Sequence, residues 1–209
     1  MFALKTASFY LALVNFRLCR CSSPANVALK TASFYLALVN FSEYYPDYFT
    51  ATILEWKHLL KPDKYKDIII SSLDFLVKDG RIKVYGFVIM SNHIHLVWQV
   101  QQGYHPKDVQ LSFMKFTAQM IIKDLRNNHP AVLQKFLVKA SDRKYQIWER
   151  NPLSVSLWNQ GVFKQKLDYM HNNPIVAGLC QFPSNYHYSS ASFYQKQSNT
   201  WKFLTHFNA

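Results

Sequence analysis

Two histidines stand two residues apart in Ser91-Asn92-His93-Ile94-His95-Leu96-Val97-Trp98. The residues around them are apolar and β-branched, the composition of a strand. Side chains alternate faces along a strand, so His93 and His95 share one face while Ile94, Leu96, Trp98 and Val100 take the other. Two neutral imidazoles projected side by side are a starting ligand set for a divalent metal ion. The competing reading is a pair of polar side chains satisfied within the fold, because so short a motif also arises by accident.

A second set of reactive groups lies in Leu167-Asp168-Tyr169-Met170-His171-Asn172-Asn173-Pro174. The pattern predicts a helix over 161–172 that ends before Pro174, since proline disfavours helical geometry in the residue ahead of it. Tyr169 and Asn173 are four residues apart and so share a helical face. A phenol oxygen can attack an electrophile and form a covalent intermediate. An asparagine oxygen can complete a metal shell begun by His93 and His95, and mixed nitrogen and oxygen ligands suit Mg²⁺ or Mn²⁺. Each residue also has an ordinary role: Tyr169 as a half-buried aromatic with a wet hydroxyl, Asn172 and Asn173 as helix terminators.

These groups need a frame to bring them together. Tyr48–Trp56 reads as a first strand, and Asp63 caps a helix over 64–79 with Ile68, Ile69, Leu73, Leu76 and Val77 as its apolar stripe. Residues 82–90 and 93–101 form two strands joined as a hairpin. Pro106 opens a long helix over 107–127, with Val109, Phe113, Phe116, Met120 and Leu125 as its buried stripe. Residues 145–158 look extended, although Pro152 argues against an uninterrupted central strand. The order strand, helix, strand, strand, helix, extended, helix predicts an α+β fold, a mainly antiparallel sheet with helices packed on one face.

The chain has 209 residues and a net charge of +12, with 49% hydrophobic and 16% aromatic residues. That is enough apolar material for a core, and the length suits one medium domain with an extension. Residues 1–42 hold four of the bases (Lys5, Arg17, Arg20, Lys30) and no acid, which leaves +8 on residues 43–209. A basic folded domain suggests a polyanionic partner, most simply nucleic acid. Three cysteines make no disulfide framework or zinc site, so a reducing cytoplasm is the default expectation. No stretch reaches the roughly 18 apolar residues of a membrane span.

The N-terminus carries a duplication. ALKTASFYLALVNF at 3–16 recurs letter for letter at 28–41. Structural repeats diverge outside their core positions, and two copies fall short of a solenoid. Residues 1–42 are therefore expected to be an appendage, with residues 43–209 forming the main domain. A membrane role for the apolar copies has little support, since Arg17 and Arg20 stand where a signal peptide needs small residues.

The blocks IMSNHIHLVW (89–98) and YMHNNPIVAGL (169–179) together resemble those of the single-tyrosine HUH transposases. They come closest to the group associated with repetitive extragenic palindromes (REP), whose usual forms are near MPNHIHLL and YIHNNPVKAGLV. YHYSSASFY (186–194) looks like that family's YxWSSxxxY tail, and the WER at 148–150 resembles the segment ahead of its tyrosine helix. The resemblance spans roughly 44–194. Ser91 replaces the usual proline, 151–161 is less regular than in the family, and the duplication has no counterpart there.

The resemblance implies a ferredoxin-like sheet of the HUH endonuclease type. His93, His95 and Asn173 would hold Mg²⁺ or Mn²⁺, and Tyr169 would be the nucleophile toward single-stranded or hairpin DNA. The protein would work as a monomer or homodimer, forming a 5′-phosphotyrosine and rejoining the strand in DNA transposition. Lys115, Lys123, Arg126, Lys164 and Lys166 are candidate phosphate contacts, and Tyr104 and Trp148 are candidate stacking surfaces for unpaired bases, with burial in the core an equal alternative for Trp148. Two other readings compete: a non-catalytic hairpin or single-strand binder descended from a transposase, and a metal-dependent hydrolase that activates water.

Overall fold

The structure is a computed structural model and describes residues 45–207. The duplicated segment and its expected role as an appendage lie outside the described residues.

Four strands form one antiparallel sheet: β1 (Asp47–Thr52), β2 (Ile82–Ile89), β3 (His93–Val100) and β4 (Leu153–Ser156). Their order across the sheet is β2-β3-β1-β4, the order of a ferredoxin-like β-α-β-β-α-β chain. The helices are α1 (Asp63–Lys78), α2 (Pro106–Asn128), the short α3 (Pro130–Gln134), α4 (Gln160–Val176) and α5 (Ala191–Lys196). The fold is α+β, as the element order predicts.

Alternation along the strands divides the core in two. Phe49, Ala51, Ile94, Leu96 and Trp98 face one way and pack with Ile69, Leu73 and Leu76 of α1 and Val109, Phe113, Ile121 and Leu125 of α2. Tyr48, Val88 and Val97 face the other way and pack under Phe163, Leu167 and Met170 of α4. Helices therefore lie on both faces of the sheet rather than one: α1 and α2 share one face, while α4, with Tyr169, covers the face that bears the histidines. Burying each large apolar side chain stabilises by about 1.5–3 kcal/mol. Three such residues hold α4 to the sheet although most of its other positions are polar.

Several boundaries differ from the sequence expectation. β1 stops at Thr52, because the chain turns at Leu54–Trp56 with Glu55 and Trp56 in left-handed backbone, at φ 55° and 57°. β4 has only four residues and lies at the sheet edge directly after Pro152, where a missing N–H costs least. The helix α3 was not expected.

On α2, Phe116 and Met120 are 48% and 37% exposed rather than buried. The buried stripe instead steps every four residues through Val109, Phe113, Thr117, Ile121 and Leu125. Thr117 fits that stripe because its hydroxyl donates to the Phe113 carbonyl (2.9 Å) and accepts from Trp148 Nε1 (3.1 Å).

α4 runs through Pro174 to Val176 rather than ending ahead of it. Pro174 leaves one carbonyl, that of Met170, without its i+4 donor. The Asn173 side-chain amide turns back toward it (3.5 Å) and donates to the Tyr169 carbonyl (3.0 Å). The helix then closes at Gly178, in left-handed backbone at φ 69°, the usual glycine stop.

Candidate active site

Pairing register places Thr50 of β1 opposite His95 and Thr52 opposite His93. The Thr50 hydroxyl oxygen lies 2.7 Å from Nδ1 of His95. Nδ1–H of His93 donates to the Asn92 amide oxygen at 2.8 Å. Both histidines therefore have Nδ1 engaged, and Nε2 is the nitrogen left for a ligand. Their ring centres are 4.8 Å apart. Burial lowers the pKa of His93. Burial, reinforced by His93 and the Lys166 ammonium, pushes His95 down to about 3. Both imidazoles are neutral at physiological pH, the state in which they ligate metals.

Two phenols approach His95. Tyr48 stacks on its ring at 5.3 Å, and the Tyr169 ring stands edge-on at 5.9 Å. Their environments separate their roles. The Tyr48 hydroxyl is buried with no hydrogen bond of good geometry among the described residues, and burial raises its pKa, so it stays protonated. Tyr169 is 56% exposed and accessible to a bulky substrate. The Lys166 ammonium lies 5.1 Å from the Tyr48 ring centre and 5.9 Å from that of Tyr169, which puts a positive charge beside the exposed phenol.

Local packing explains why Tyr169 arrives there. β2 carries a bulge between Val84 and Gly86. A Cβ on Gly86 would sit 2.3 Å from Met170 Cε and 2.6 Å from Leu167 Cδ1, so the missing side chain is the notch in which α4 rests. On the same helix, buried His171 places Nε2 2.8 Å from the Ser190 hydroxyl, which also accepts from the Phe87 N–H at 2.9 Å. Burial pushes His171 down to about 4. Tyr186 donates to the Ile89 carbonyl (2.8 Å) and Tyr194 to the Tyr85 carbonyl (2.7 Å). The tyrosine- and serine-rich tail thus latches α4 and β2 together.

The structure brings His93, His95, Tyr169 and Lys166 into one cluster. Asn173 lies one turn beyond Tyr169, and its side-chain hydrogen bonds go to its own helix. Lys164 is exposed on α4. Lys115, Lys123 and Arg126 are exposed on α2, across the sheet from the histidines, and do not converge on Tyr169. Lys115 instead lines a groove of about 700 Å³ between α2 and residues 142–152, with Leu111, Met114, Ile122, Arg143 and Arg150 among its walls. Trp148 is only 5% exposed and spends its N–H on Thr117, so of its two expected roles it takes the buried one and does not stack on a base. Tyr104 is partly exposed, with the Arg81 guanidinium over its ring.

Among the described residues, no group of three or more His, Cys, Asp and Glu side chains is arranged to hold a metal. No described helix is long and apolar enough to cross a membrane.

Sequence reasoning missed Thr50, Asn92, Tyr48, Gly86 and Ser190. Asn92 stood inside the histidine block, and a lone glycine in a strand signals a bulge or close approach. Thr50 needed the pairing register, which the sequence does not state.

No family model matches the chain, and no curated protein does either. Among solved structures, a REP-associated tyrosine transposase bound to a REP hairpin superposes with a TM-score of 0.53 at 15% identity, covering 71% of this chain and 78% of that one. A proposed transposase from Deinococcus radiodurans R1 gives a TM-score of 0.42 at 12% identity, over 62% of this chain and 90% of that one. At 15% identity the first likeness is one of fold, and it agrees with the ferredoxin-like strand order.

Proposed function

We propose that this protein is a transposase-like enzyme that cuts and rejoins hairpin-bearing single-stranded DNA through Tyr169. The observation that carries the reading is the exposed Tyr169 phenol beside the neutral His93–His95 pair, on a basic domain. The fold likeness to a transposase bound to a hairpin supports DNA of that kind as the partner.

In the forward step the Tyr169 oxygen attacks a backbone phosphorus. The new O–P bond forms as the bond from phosphorus to the 3′-oxygen breaks. The phenol proton passes to solvent, and the leaving 3′-oxygen gains one. A 5′-phosphotyrosine and a free 3′-hydroxyl result, and attack by another 3′-hydroxyl reverses the exchange. The Lys166 ammonium stabilises the charge that develops on the phosphate. Tyr48 is held protonated by burial and packs against His95, so it takes no part in the exchange.

The neutral, oriented imidazoles of His93 and His95 and the amide oxygen of Asn173 would hold Mg²⁺ or Mn²⁺. A bound divalent ion supplies polarisation of the phosphate and charge relief for the attacking and leaving oxygens.

Nicking of a labelled hairpin oligonucleotide with Mn²⁺ tests the reading. Tyr169→Phe should abolish cleavage while binding persists. Equal cleavage by the variant removes Tyr169 from the mechanism and favours an activated water.

A further inference from the structure

Trp56 is 60% exposed, and neither its backbone nor its position is cheap. It follows Glu55, and both residues adopt left-handed geometry at φ 55° and 57°, which costs energy in any residue with a side chain and most in bulky ones. An exposed indole also forgoes the burial that would stabilise the fold. The surrounding structure nevertheless holds the turn firmly. The Leu54 N–H donates to the Ile147 carbonyl (2.8 Å), the Glu55 N–H to the Glu149 carboxylate (2.7 Å), and the Asn92 side-chain amide to the Trp56 carbonyl (3.4 Å). Two of these three anchors come from the segment after α3, and the third is the same Asn92 that orients His93.

The turn places the indole against the candidate site. The Trp56 and His93 ring centres are 5.8 Å apart at an interplanar angle of 65°. The edge-to-face pair leaves much of the indole in solvent, at 60% exposed. Aromatic faces that stand open beside a backbone-cleaving centre bind unpaired bases by stacking, with no demand for a particular base.

Building on the function proposed above, we infer that Trp56 is the stacking wall of the DNA site: it holds an unpaired base that flanks the phosphate presented to Tyr169. The strained turn is the device that aims the ring. The Glu149 carboxylate is a positioning group, acting on DNA only through Trp56. This gives the WER segment two separable jobs, since Trp148 packs the core while Glu149 fixes the turn.

The test is fluorescence anisotropy of short labelled single strands without added metal, using wild type, Trp56→Ala and Trp56→Phe. Removing a stacked aromatic should weaken binding about five- to a hundredfold, and the phenylalanine variant should recover most of it. An abasic scan through the oligonucleotide supplies the second arm. At one position next to the cleaved phosphate, removing the base should erase the difference between wild type and Trp56→Ala. Glu149→Ala should lose affinity in parallel and show the same abasic signature. Equal binding by wild type and Trp56→Ala, or a loss that persists at every abasic position, overturns the inference. Failure of the wild type to bind any single strand overturns the underlying functional reading instead.

Discussion

Thr50 and His95 face each other across the β1–β3 ladder with the threonine hydroxyl 2.7 Å from the imidazole Nδ1. The contact fixes the ring so that Nε2 is left for a metal. Groups that orient a ligating histidine in this way are typically worth about 10- to 100-fold in metal affinity. Thr50→Val keeps the shape and removes the hydroxyl, so it should weaken Mn²⁺ binding by that factor with little change in thermal stability. Calorimetric titration of Mn²⁺ checks this, and unchanged affinity would mean that the contact does not orient a ligand.

The two phenols near His95 should behave oppositely. Tyr48 is buried with a raised pKa and Tyr169 is exposed. Tyr48→Phe should retain covalent adduct formation at close to the wild-type rate, because its buried hydroxyl does not reach the DNA. Single-turnover cleavage measures it. Loss of adduct in Tyr48→Phe with retention in Tyr169→Phe would exchange their roles.

The basic residues should divide by face. Lys166 lies beside both phenols, so Lys166→Gln should slow cleavage at saturating DNA. Lys115, Lys123 and Arg126 sit across the sheet. Their alanine variants should leave the saturated rate unchanged, and each should at most reduce the salt dependence of binding by about one counterion. Rates at saturation and affinities over a salt series separate the two groups.

Acid should unfold the metal-free protein early. Burial holds His171 at about 4 and His95 at about 3, whereas an unfolded histidine binds its proton near 6.5. The unfolded state therefore takes up protons first. Stability is complete above about pH 6.5 and declines as pH falls toward 4, by roughly 3 kcal/mol for His171 alone. Urea unfolding across this range should show the decline. His171→Gln, which can keep a bond to Ser190, should flatten it in part.

Much of this was legible in sequence because it rests on strict periodicity. Period two put His93 and His95 on one face, and the four-residue spacing joined Tyr169 to Asn173. What stayed hidden depends on partners distant in sequence. Phe116 and Met120 look like core residues until the sheet selects the Thr117 side of α2, a choice made by Trp148 some thirty residues on. Pro174 looks like a helix end until Asn173 turns back to the freed carbonyl. Trp56 reads as the last residue of a strand until Glu149 takes the N–H of the preceding Glu55 and fixes the left-handed turn. The seat for α4 is the absence of a side chain at Gly86, which reveals its purpose only when Met170 and Leu167 are in place.

The most direct test of the central claim is mass spectrometry of the protein trapped during cleavage of a hairpin-bearing single strand with Mn²⁺. The account predicts a nucleotide joined through its 5′-phosphate to the peptide that contains Tyr169, and no adduct in Tyr169→Phe. Cleaved DNA with unmodified protein, or an adduct on another residue, would contradict it.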